Sequence, residues 1–463
     1  MTLSIMKFGA AALGNAGQLH DLAQVVKIST EGGERVVVVC TALSGITDAL
    51  IRSVRAAADG NDSQTELTRR ELWTRHRVLA ERLVSDDWER EALFRQWADL
   101  LKVYDRYTRA IATLGELPAR SVDMIAALGE RFIALLVAVV LRRGGVAAQV
   151  VEATDLIVTD DSFGHARPDH EQTYARTRQR LQAILKARIV PVVAGYIGAT
   201  PDAIVTTLGR GGGDYTAALI AAALEAKSVY LWTDVDGIMT ADPKIVPEAR
   251  TLTDISYAEA AEIAALGAEV LHPHTLAPLI EQNITLYIRN LQKPDSPGTR
   301  VITEPQDSRY IARGIISAPS LSLLTAKSEA YATIWTSALA RMTSTSVDIL
   351  CASQSQSEQS LTLLVRASDA EFAYECLSHA LHAIHTENSP TEISHTTPVA
   401  LLALITTKRQ SDLMSRVLLS LGQAGVRVLS ITQTMTPAHI TILLDEADVN
   451  RAVQTLHKDL ELG

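Results

Sequence analysis

The most informative segment of the sequence is a glycine-rich turn that runs into an apolar helix, LGRGGGDYTAALIAAAL at residues 208–224. Glycines let a backbone approach a ligand closely, and the amide groups at a helix start bind anions. Arg210 can form paired hydrogen bonds with a carboxylate or a phosphate. Asp214 repels anions and would instead orient an ammonium group, Mg²⁺ or Arg210. Such a turn also occurs where two elements simply pack closely, so the segment alone leaves binding and packing open.

A second polar segment, WTDVDGIMTADPK at residues 232–244, directly follows a predicted strand. Loops at the carboxyl ends of parallel strands are the usual ligand-binding positions in such sheets. Thr233 and Asp234 offer a hydroxyl and a carboxylate, while Lys244 supplies a point charge suited to phosphate. The alternative is that the Asp-Gly and Asp-Pro pairs only mark turns.

Shorter segments place further polar residues in comparable positions. Lys7 and Gly9 end the first predicted strand, where a lysine can reach a phosphoryl group, although most lysines are simply solvated. Thr47 follows the second strand within SGITD, and Glu130 lies in a helical segment, where a glutamate is most often a solvated surface residue. Basic and acidic side chains that converge on glycine-rich turns suit a nucleotide and a small charged acceptor. The chain has neither the P-loop pattern nor the protein-kinase motifs, which argues against both of those nucleotide-binding classes.

The elements that must position these residues alternate along the first part of the chain. Short apolar runs predict buried strands, and the periodic segments between them predict helices. Strands separated by helices indicate a mostly parallel sheet with helices on both faces. The predicted strands are residues 3–8, 36–40, 189–194 and 228–232, and the predicted helices are Ser121–Arg143, Glu171–Lys186 and Asp214–Ala226. Residues 62–117 predict a helical insertion without a chemical role.

The order of predicted strands and helices changes after residues 292–305. The three prolines and one glycine of this segment predict a domain boundary. Two passes of strand, helix, strand, strand and helix follow, which predict two small α+β modules of similar build. Two unrelated small domains are the alternative. The predicted strands are Leu321–Thr325, Val347–Leu350, Ser360–Val365, Val399–Ile405, Val426–Thr432 and Ala438–Leu444, and the predicted helices are 331–342, 369–384, Asp412–Gly425 and Glu446–Asp459.

Composition narrows the classes of function. A chain of 463 residues suits two or three domains, and 47% apolar residues are enough to build their cores. The net charge of −10 argues against a nucleic-acid partner. Cys40, Cys351 and Cys376 show neither metal-ligand spacing nor a disulfide framework. Nothing in the sequence reads as a leader or a membrane span, so we expect a cytoplasmic protein without a membrane partner.

Taken together, these motifs resemble those of the aspartokinases. The resemblance covers nearly the whole chain and is densest at KFG (7–9), SGITD (44–48), LGERF (128–132), GYIGATPD (195–202), TTLGRGGGDY (206–215), 232–260, LHPHT (271–275) and LHKDL (456–460). It implies an α/β amino-acid-kinase fold of three layers with a mostly parallel central sheet, followed by two ferredoxin-like α+β ACT domains. The implied domains are a kinase domain at 1–303, with the insertion at 62–117, and ACT domains at 304–390 and 391–463.

The resemblance also implies an activity, the ATP-dependent phosphorylation of the β-carboxylate of L-aspartate to 4-phospho-L-aspartate. This reaction opens the pathway to lysine, threonine and methionine. The implied cofactors are ATP and Mg²⁺, with no metal site made by the protein alone. An amino-acid effector at the ACT domains and a homodimer or larger homo-oligomer are implied as well.

Roles follow position by position from the same resemblance. Lys7 and Asp214 are the implied catalytic residues, and Thr47, Glu130 and Arg210 are the implied aspartate-binding residues. The implied nucleotide-binding residues are Lys7, Gly9, Thr233, Asp234, Met239, Lys244 and Glu269.

The chain departs from the family pattern inside this set. Ala10, Ala11 and Ala12 stand where the family has a glycine and two hydroxyl residues, and Gly213 and Ile133 stand where it has serines. Glu269 replaces a lysine of the ATP site. The departures keep two alternatives open: a catalytically impaired homologue that acts as a regulatory subunit, and a kinase of another amino acid in a specialised pathway.

Overall fold

The chain folds into two compact units in its computed structural model. The residues described are 2–265, 271, 273–304, 312–328, 331–343, 347, 349–384, 392–406, 412–433 and 439–462. The first unit comprises Met1–Ile238, Thr253–Tyr257 and His272–Pro305, and the second comprises Met239–Leu252, Ala258–Leu271 and Gln306–Gly463.

The strands and helices are numbered in chain order. The strands are β1 (Leu3–Phe8), β2 (Arg35–Cys40), β3 (Ala148–Val151), β4 (Val190–Ala194), β5 (Ile197–Ala199), β6 (Val205–Thr207), β7 (Ser228–Thr233), β8 (Asp254–Ser256), β9 (Thr285–Asn290), β10 (Thr299–Ile302), β11 (Ala312–Lys327), β12 (Ile349–Ser355), β13 (Ser360–Arg366), β14 (Glu392–Thr406), β15 (Val428–Gln433) and β16 (His439–Asp445). The helices are α1 (Ala16–Glu31), α2 (Ile46–Ala58), α3 (Asp62–Leu83), α4 (Asp87–Leu114), α5 (Ala119–Ala126), α6 (Leu128–Arg143), α7 (His170–Lys186), α8 (Gly212–Leu224), α9 (Tyr257–Ala265), α10 (Pro273–Glu281), α11 (Tyr331–Thr343), α12 (Ala370–Ile384), α13 (Leu413–Gln423) and α14 (Val449–Asp459).

The first unit is built on a sheet whose strands lie, among the described residues, in the order β3-β4-β2-β1-β7-β9-β10-β8. Neighbours from β3 to β9 are parallel, and β10 is antiparallel to β9. Helices α1 and α6 pack on one face, and α7 and α8 pack on the other. This arrangement confirms the prediction of a mostly parallel sheet in three layers, and it brings the carboxyl ends of β1, β2 and β7 to one edge.

The predicted helix Ser121–Arg143 is divided into α5 and α6. The start of α6 approaches the loop after β2 so closely that a Cβ atom on Gly129 would lie 2.8 Å from the Cβ of Ala42. Only glycine fits there, and glycine weakens a continuous helix. The stretch Ala119–Arg143 is long and apolar enough to cross a membrane, but 83% of its most apolar window is buried inside the protein, as in a core helix.

The predicted insertion forms two long helices, α3 and α4, which contact each other and also contact α2 and α6. Their junction with α6 is an aromatic cluster in which Trp97 stacks on Phe132, with ring centroids 5.5 Å apart. The Trp97 indole N–H donates to the Phe132 carbonyl at 3.0 Å. His76 packs against both rings, and burial lowers its pKa to about 4, so it is neutral at physiological pH.

The second unit contains a six-stranded antiparallel sheet, in the order β12-β13-β11-β14-β16-β15 over the residues described. The element order confirms the two predicted passes of strand, helix, strand, strand and helix. The predicted strands Leu321–Thr325 and Val399–Ile405 prove much longer, because β11 and β14 pair with each other from Ala312–Thr406 to Lys327–Glu392. The two modules therefore share one sheet.

Residues 239–252 pack within this second unit. Ala241 and Val246 belong to the same buried cluster as residues of β14 and α14. The Thr240 hydroxyl lies 3.0 Å from Nε2 of His457 in α14, and the Gln454 amide donates to the Ile245 carbonyl at 3.0 Å. Helix α9 is held in the same unit by the ion pair of Glu259 with Arg313 at 3.7 Å, and the Glu262 carboxylate lies 2.8 Å from Nδ1 of His439.

The aromatic cluster of the insertion supplies a test of the first unit's packing. Trp97 is fully buried, whereas Trp88 on the same helix is 76% exposed. We expect Trp97→Ala to lower the free energy of unfolding by about 3–5 kcal/mol, because it leaves a large cavity and removes the indole hydrogen bond to Phe132. Trp88→Ala should change it by less than about 0.5 kcal/mol. Equal effects of the two substitutions in urea unfolding would contradict the placement of α4.

Candidate active site

The site is built around an ion pair at the carboxyl edge of the sheet. Lys7 lies in β1, and its Nζ is 2.5 Å from Oδ1 of Asp214, with both side chains at most 15% exposed. Asp214 stands in the first turn of α8, where the helix dipole favours a carboxylate. Gly9 lies under the ammonium group, since a Cβ there would be 3.4 Å from Nζ. The structure thus brings together three of the predicted residues.

The glycine-rich turn displays Arg210 at the surface. Gly209 and Gly211 have φ angles of +75° and +70°, a conformation that L side chains rarely adopt. Arg210 between them is exposed and, within the described part of the chain, forms no ion pair. Its guanidinium group is therefore available for an anionic ligand.

Glu130 is the second acidic residue of the site, and it is 3% exposed in the first turn of α6. The Thr47 hydroxyl donates to its Oε1 at 3.4 Å, and the Ala42 backbone N–H donates to the same carboxylate. Its Oε2 is buried without a hydrogen-bond partner among the described residues. Burial raises the pKa of Glu130 to about 7, the backbone and Thr47 hydrogen bonds opposing the shift. The carboxylate is thus prepared for a cation that the described residues do not supply.

Asp123 is a buried residue next to the glycine-rich turn, and the sequence analysis did not identify it. It is 2% exposed and accepts from the Thr207 N–H at 2.8 Å, the Thr207 hydroxyl at 3.0 Å and the Gly164 N–H at 2.9 Å. Burial raises its pKa and these bonds oppose the rise. Asp123 fixes the end of β6, directly before the turn that carries Arg210. An acidic residue inside the apolar run SVDMIAAL (121–128) was the available signal.

The loop after β7 is fixed by a second residue that the sequence analysis missed, Asn290. Its Nδ2 donates to the Asp234 carbonyl at 3.0 Å and to the Asp236 carboxylate at 2.6 Å. Lys293 forms an ion pair with the same carboxylate at 2.6 Å. The Thr233 hydroxyl donates to Asp234, whose side chain is exposed. The end of β9 thereby holds two predicted nucleotide-binding residues at the edge that also carries Lys7.

Three predicted nucleotide-binding residues are not among the described residues of the first unit, which forms the sheet edge that carries Lys7. Met239 and Lys244 belong to the second unit, where Met239 is half-buried and Lys244 is exposed. The Lys244 N–H donates to the Asp242 carboxylate at 2.9 Å. Glu269 lies outside the described residues. Their role in the site stays a prediction.

The departures from the family pattern have local explanations in two cases. Ala10–Ala12 form a short 3-10 helix, and α1 is capped by Asn15, which forms a capping box with Gln18. The start of α1 therefore does not depend on the hydroxyl residues that the alanines replace. Ile133 is fully buried, so it belongs to the core.

Comparison with known proteins agrees with this geometry. The model of the amino acid kinase family matches residues 2–290. The Arabidopsis thaliana bifunctional aspartokinase/homoserine dehydrogenase 2 is 28% identical over 465 residues, which are 98% of this chain and 50% of that protein. The Escherichia coli lysine-sensitive aspartokinase 3 is 32% identical over 303 residues, which are 65% of each chain. The chain spans about half the length of the bifunctional relatives that it matches.

Among solved structures, Escherichia coli aspartokinase III in complex with aspartate and ADP matches with a TM-score of 0.82 at 26% identity. The match covers 99% of this chain and 100% of that one, so both units are included. The sequence resemblance, the sheet order and the ion pair at its edge point to the same group. The chain belongs to the amino acid kinase family, among the aspartokinases.

Proposed function

We propose that the protein transfers the γ-phosphoryl group of ATP to the β-carboxylate of L-aspartate and so forms 4-phospho-L-aspartate. The observation that carries the proposal is Glu130, whose buried carboxylate has one oxygen without a partner among the described residues. A buried anion of this kind is costly unless a cation joins it. The ammonium group of an amino acid is such a cation. The Thr47 hydroxyl orients the same carboxylate, and Arg210 would bind the α-carboxylate in a forked geometry.

Lys7 and Asp214 would then act on the phosphoryl group. A β-carboxylate oxygen forms a bond to the γ-phosphorus while the bond to the β–γ bridging oxygen breaks, and ADP leaves with that electron pair. Phosphoryl transfer depends mainly on positioning and charge neutralisation. Lys7 would neutralise the charge on the transferring group, and Asp214 would hold the lysine in place, as their 2.5 Å contact supports.

The nucleotide would lie along the loops that follow β1 and β7. Gly9, Thr233 and Asp234 are the residues of the first unit that we assign to it. The assignment of Met239, Lys244 and Glu269 rests on the resemblance to aspartokinases.

Mg²⁺ would reach this site with the nucleotide. Among the described residues, no group of three or more His, Cys, Asp or Glu side chains is arranged to hold a metal ion. Mg²⁺ in kinases is commonly held by phosphate oxygens, waters and one or two carboxylates, and the exposed carboxylate of Asp234 fits that requirement. When bound, the ion would neutralise charge on the phosphates.

We propose further that residues 304–390 and 391–463 are two ACT domains that bind an amino-acid effector and form a homodimer. Their shared antiparallel sheet supports this assignment. One relative is named as lysine-sensitive. We place the protein in the cytoplasm, at the first step of the synthesis of lysine, threonine and methionine.

The reaction is tested with purified protein, Mg·ATP, L-aspartate and hydroxylamine, which traps the acyl phosphate as a hydroxamate. Aspartyl hydroxamate formed with an equal amount of ADP is the expected result. ADP and hydroxamate from another amino acid only would replace aspartate as the acceptor. Absence of turnover and of ATP binding by calorimetry would exclude catalysis and leave the regulatory-subunit alternative.

Lys7→Met tests the assignment of the phosphoryl group. Because the variant removes the cation that contacts Asp214, we expect kcat to fall by about 10³-fold or more, with the secondary structure unchanged by circular dichroism. Lys102→Met is the matched control, since Lys102 is exposed on the insertion and should keep full kcat. Retention of full rate in Lys7→Met would show that the phosphoryl group lies elsewhere.

Glu130→Gln tests the buried carboxylate through the pH dependence of stability. Glu130 has a raised pKa of about 7, against 4.5 for the free side chain, so the unfolded chain releases this proton first as pH rises. The wild type should therefore lose stability between about pH 4.5 and pH 7, by on the order of 3 kcal/mol from this group. Glutamine does not titrate, so the variant should be more stable than the wild type at pH 8 and should bind aspartate weakly.

Urea unfolding of both proteins across this pH range measures the difference. Glu171→Gln is the control, because Glu171 occupies the first turn of α7 and is exposed. Parallel stability curves for the wild type and Glu130→Gln would mean that Glu130 is already paired in the free protein.

A further inference from the structure

Thr41, which follows β2, lies against the glycine that replaces a serine of the aspartokinase pattern. A Cβ atom built on Gly213 would lie only 2.3 Å from the Thr41 Cγ2, a distance that real Cβ contacts do not show. The Thr41 methyl group thus occupies the space that any side chain at position 213 would need.

Other contacts hold both Gly213 and Thr41 in place, so neither residue can move away from the other. The Gly213 backbone is itself in close contact with Gly195, where a Cβ would lie 2.9 Å from the Gly213 Cα. The Thr41 side chain is held by its hydroxyl, which donates to the Phe8 carbonyl at 3.2 Å, and its backbone N–H donates to the same carbonyl at 3.3 Å. A β-branched side chain also has few rotamers to choose from.

This contact adjoins the stem of Lys7. The Cβ position at Gly213 is 3.5 Å from the Lys7 Cε, which is an ordinary van der Waals distance. The ammonium group at the end of that stem makes the 2.5 Å contact with Asp214, the residue after Gly213. A displacement of Thr41 or of Gly213 would therefore be passed to the ion pair.

We infer that Thr41 is a positioning residue for Lys7. Its methyl group fills the space left by the missing side chain at position 213 and keeps the lysine stem aligned with Asp214. The inference rests on the proposed function, because the role of Lys7 in phosphoryl transfer gives this packing its consequence. It explains how the chain keeps the Lys7–Asp214 contact although the family serine is absent.

A double-substitution cycle tests the inference. Gly213→Ser in the otherwise native chain should clash with Thr41, lower kcat by about 10²-fold through misplacement of Lys7 and lower Tm by about 3 °C or more. Its KM for aspartate should change much less than its kcat. Thr41→Ser alone removes only the methyl group and should cost a few-fold in kcat. The combined variant has room for the new serine, so it should recover at least about tenfold in kcat over Gly213→Ser, together with most of the Tm.

Two control variants test whether the recovery depends on the side-chain volume at position 41 and whether a Gly→Ser substitution is harmful in itself. Thr41→Val combined with Gly213→Ser keeps a branched side chain at position 41 and should show no recovery. Gly422 is in α13, and a Cβ atom built on it has no neighbouring atom within 4 Å. The Gly422→Ser variant should therefore keep its kcat and Tm unchanged.

The outcomes distinguish this inference from the proposed function. Wild-type kcat and Tm in Gly213→Ser, or a defect that Thr41→Ser does not relieve, would overturn the inference. If the wild type has no kinase activity, the proposed function fails, and the Tm values of the same four proteins still decide whether Thr41 and Gly213 are coupled.

Discussion

The close approach of helix α8 to the ends of β1 and β2 is the constraint on which the site depends. The approach is possible because side chains are absent at the points of contact. A Cβ on Gly195 would lie 2.9 Å from the Gly213 Cα, and one on Gly212 would lie 2.9 Å from the Tyr196 ring. The first turn of α8 can therefore rest directly on the sheet edge. As a result Asp214, in the first turn of α8, reaches Lys7.

The two acidic residues of the site differ in whether the protein supplies a cation to them. Asp214 has the Lys7 ammonium group at contact distance and stands in the first turn of α8. Glu130 is buried with hydrogen bonds from Thr47 and Ala42 but with no cation from the described residues, and burial raises its pKa to about 7. The first arrangement is complete in the free protein. The Glu130 carboxylate gains a cationic partner only when a ligand brings positive charge. The free protein is therefore less stable than it could be, and the binding of the ligand is favoured.

The sequence predicted those parts of the molecule whose signals are local. Apolar runs located β1, β2, β4 and β7, and the glycine-rich turn before α8 pointed to Arg210 and Asp214. Asp123 and Asn290 were missed, because their partners Thr207 and Asp236 are distant in the chain and meet them only after folding. The long pairing of β11 with β14 was missed for the same reason. The length of each strand depends on its hydrogen bonds to the other strand, which is distant in the sequence.

The packing of residues 239–252 and 258–265 in the second unit illustrates a different limit of local signals. Proline- and glycine-rich composition marks where a chain turns, and it placed a boundary at residues 292–305. Which hydrophobic core a segment packs into depends instead on which apolar surfaces come into contact in the folded protein. Ala241 and Val246 are buried in the cluster of β14 and α14, and Glu262 pairs with His439 of β16. Segments that precede the predicted boundary are therefore stabilised by strands and helices that follow it. The position of Lys244 and Met239 is fixed by that packing, because the segment that carries them has its apolar side chains in the core of the second unit.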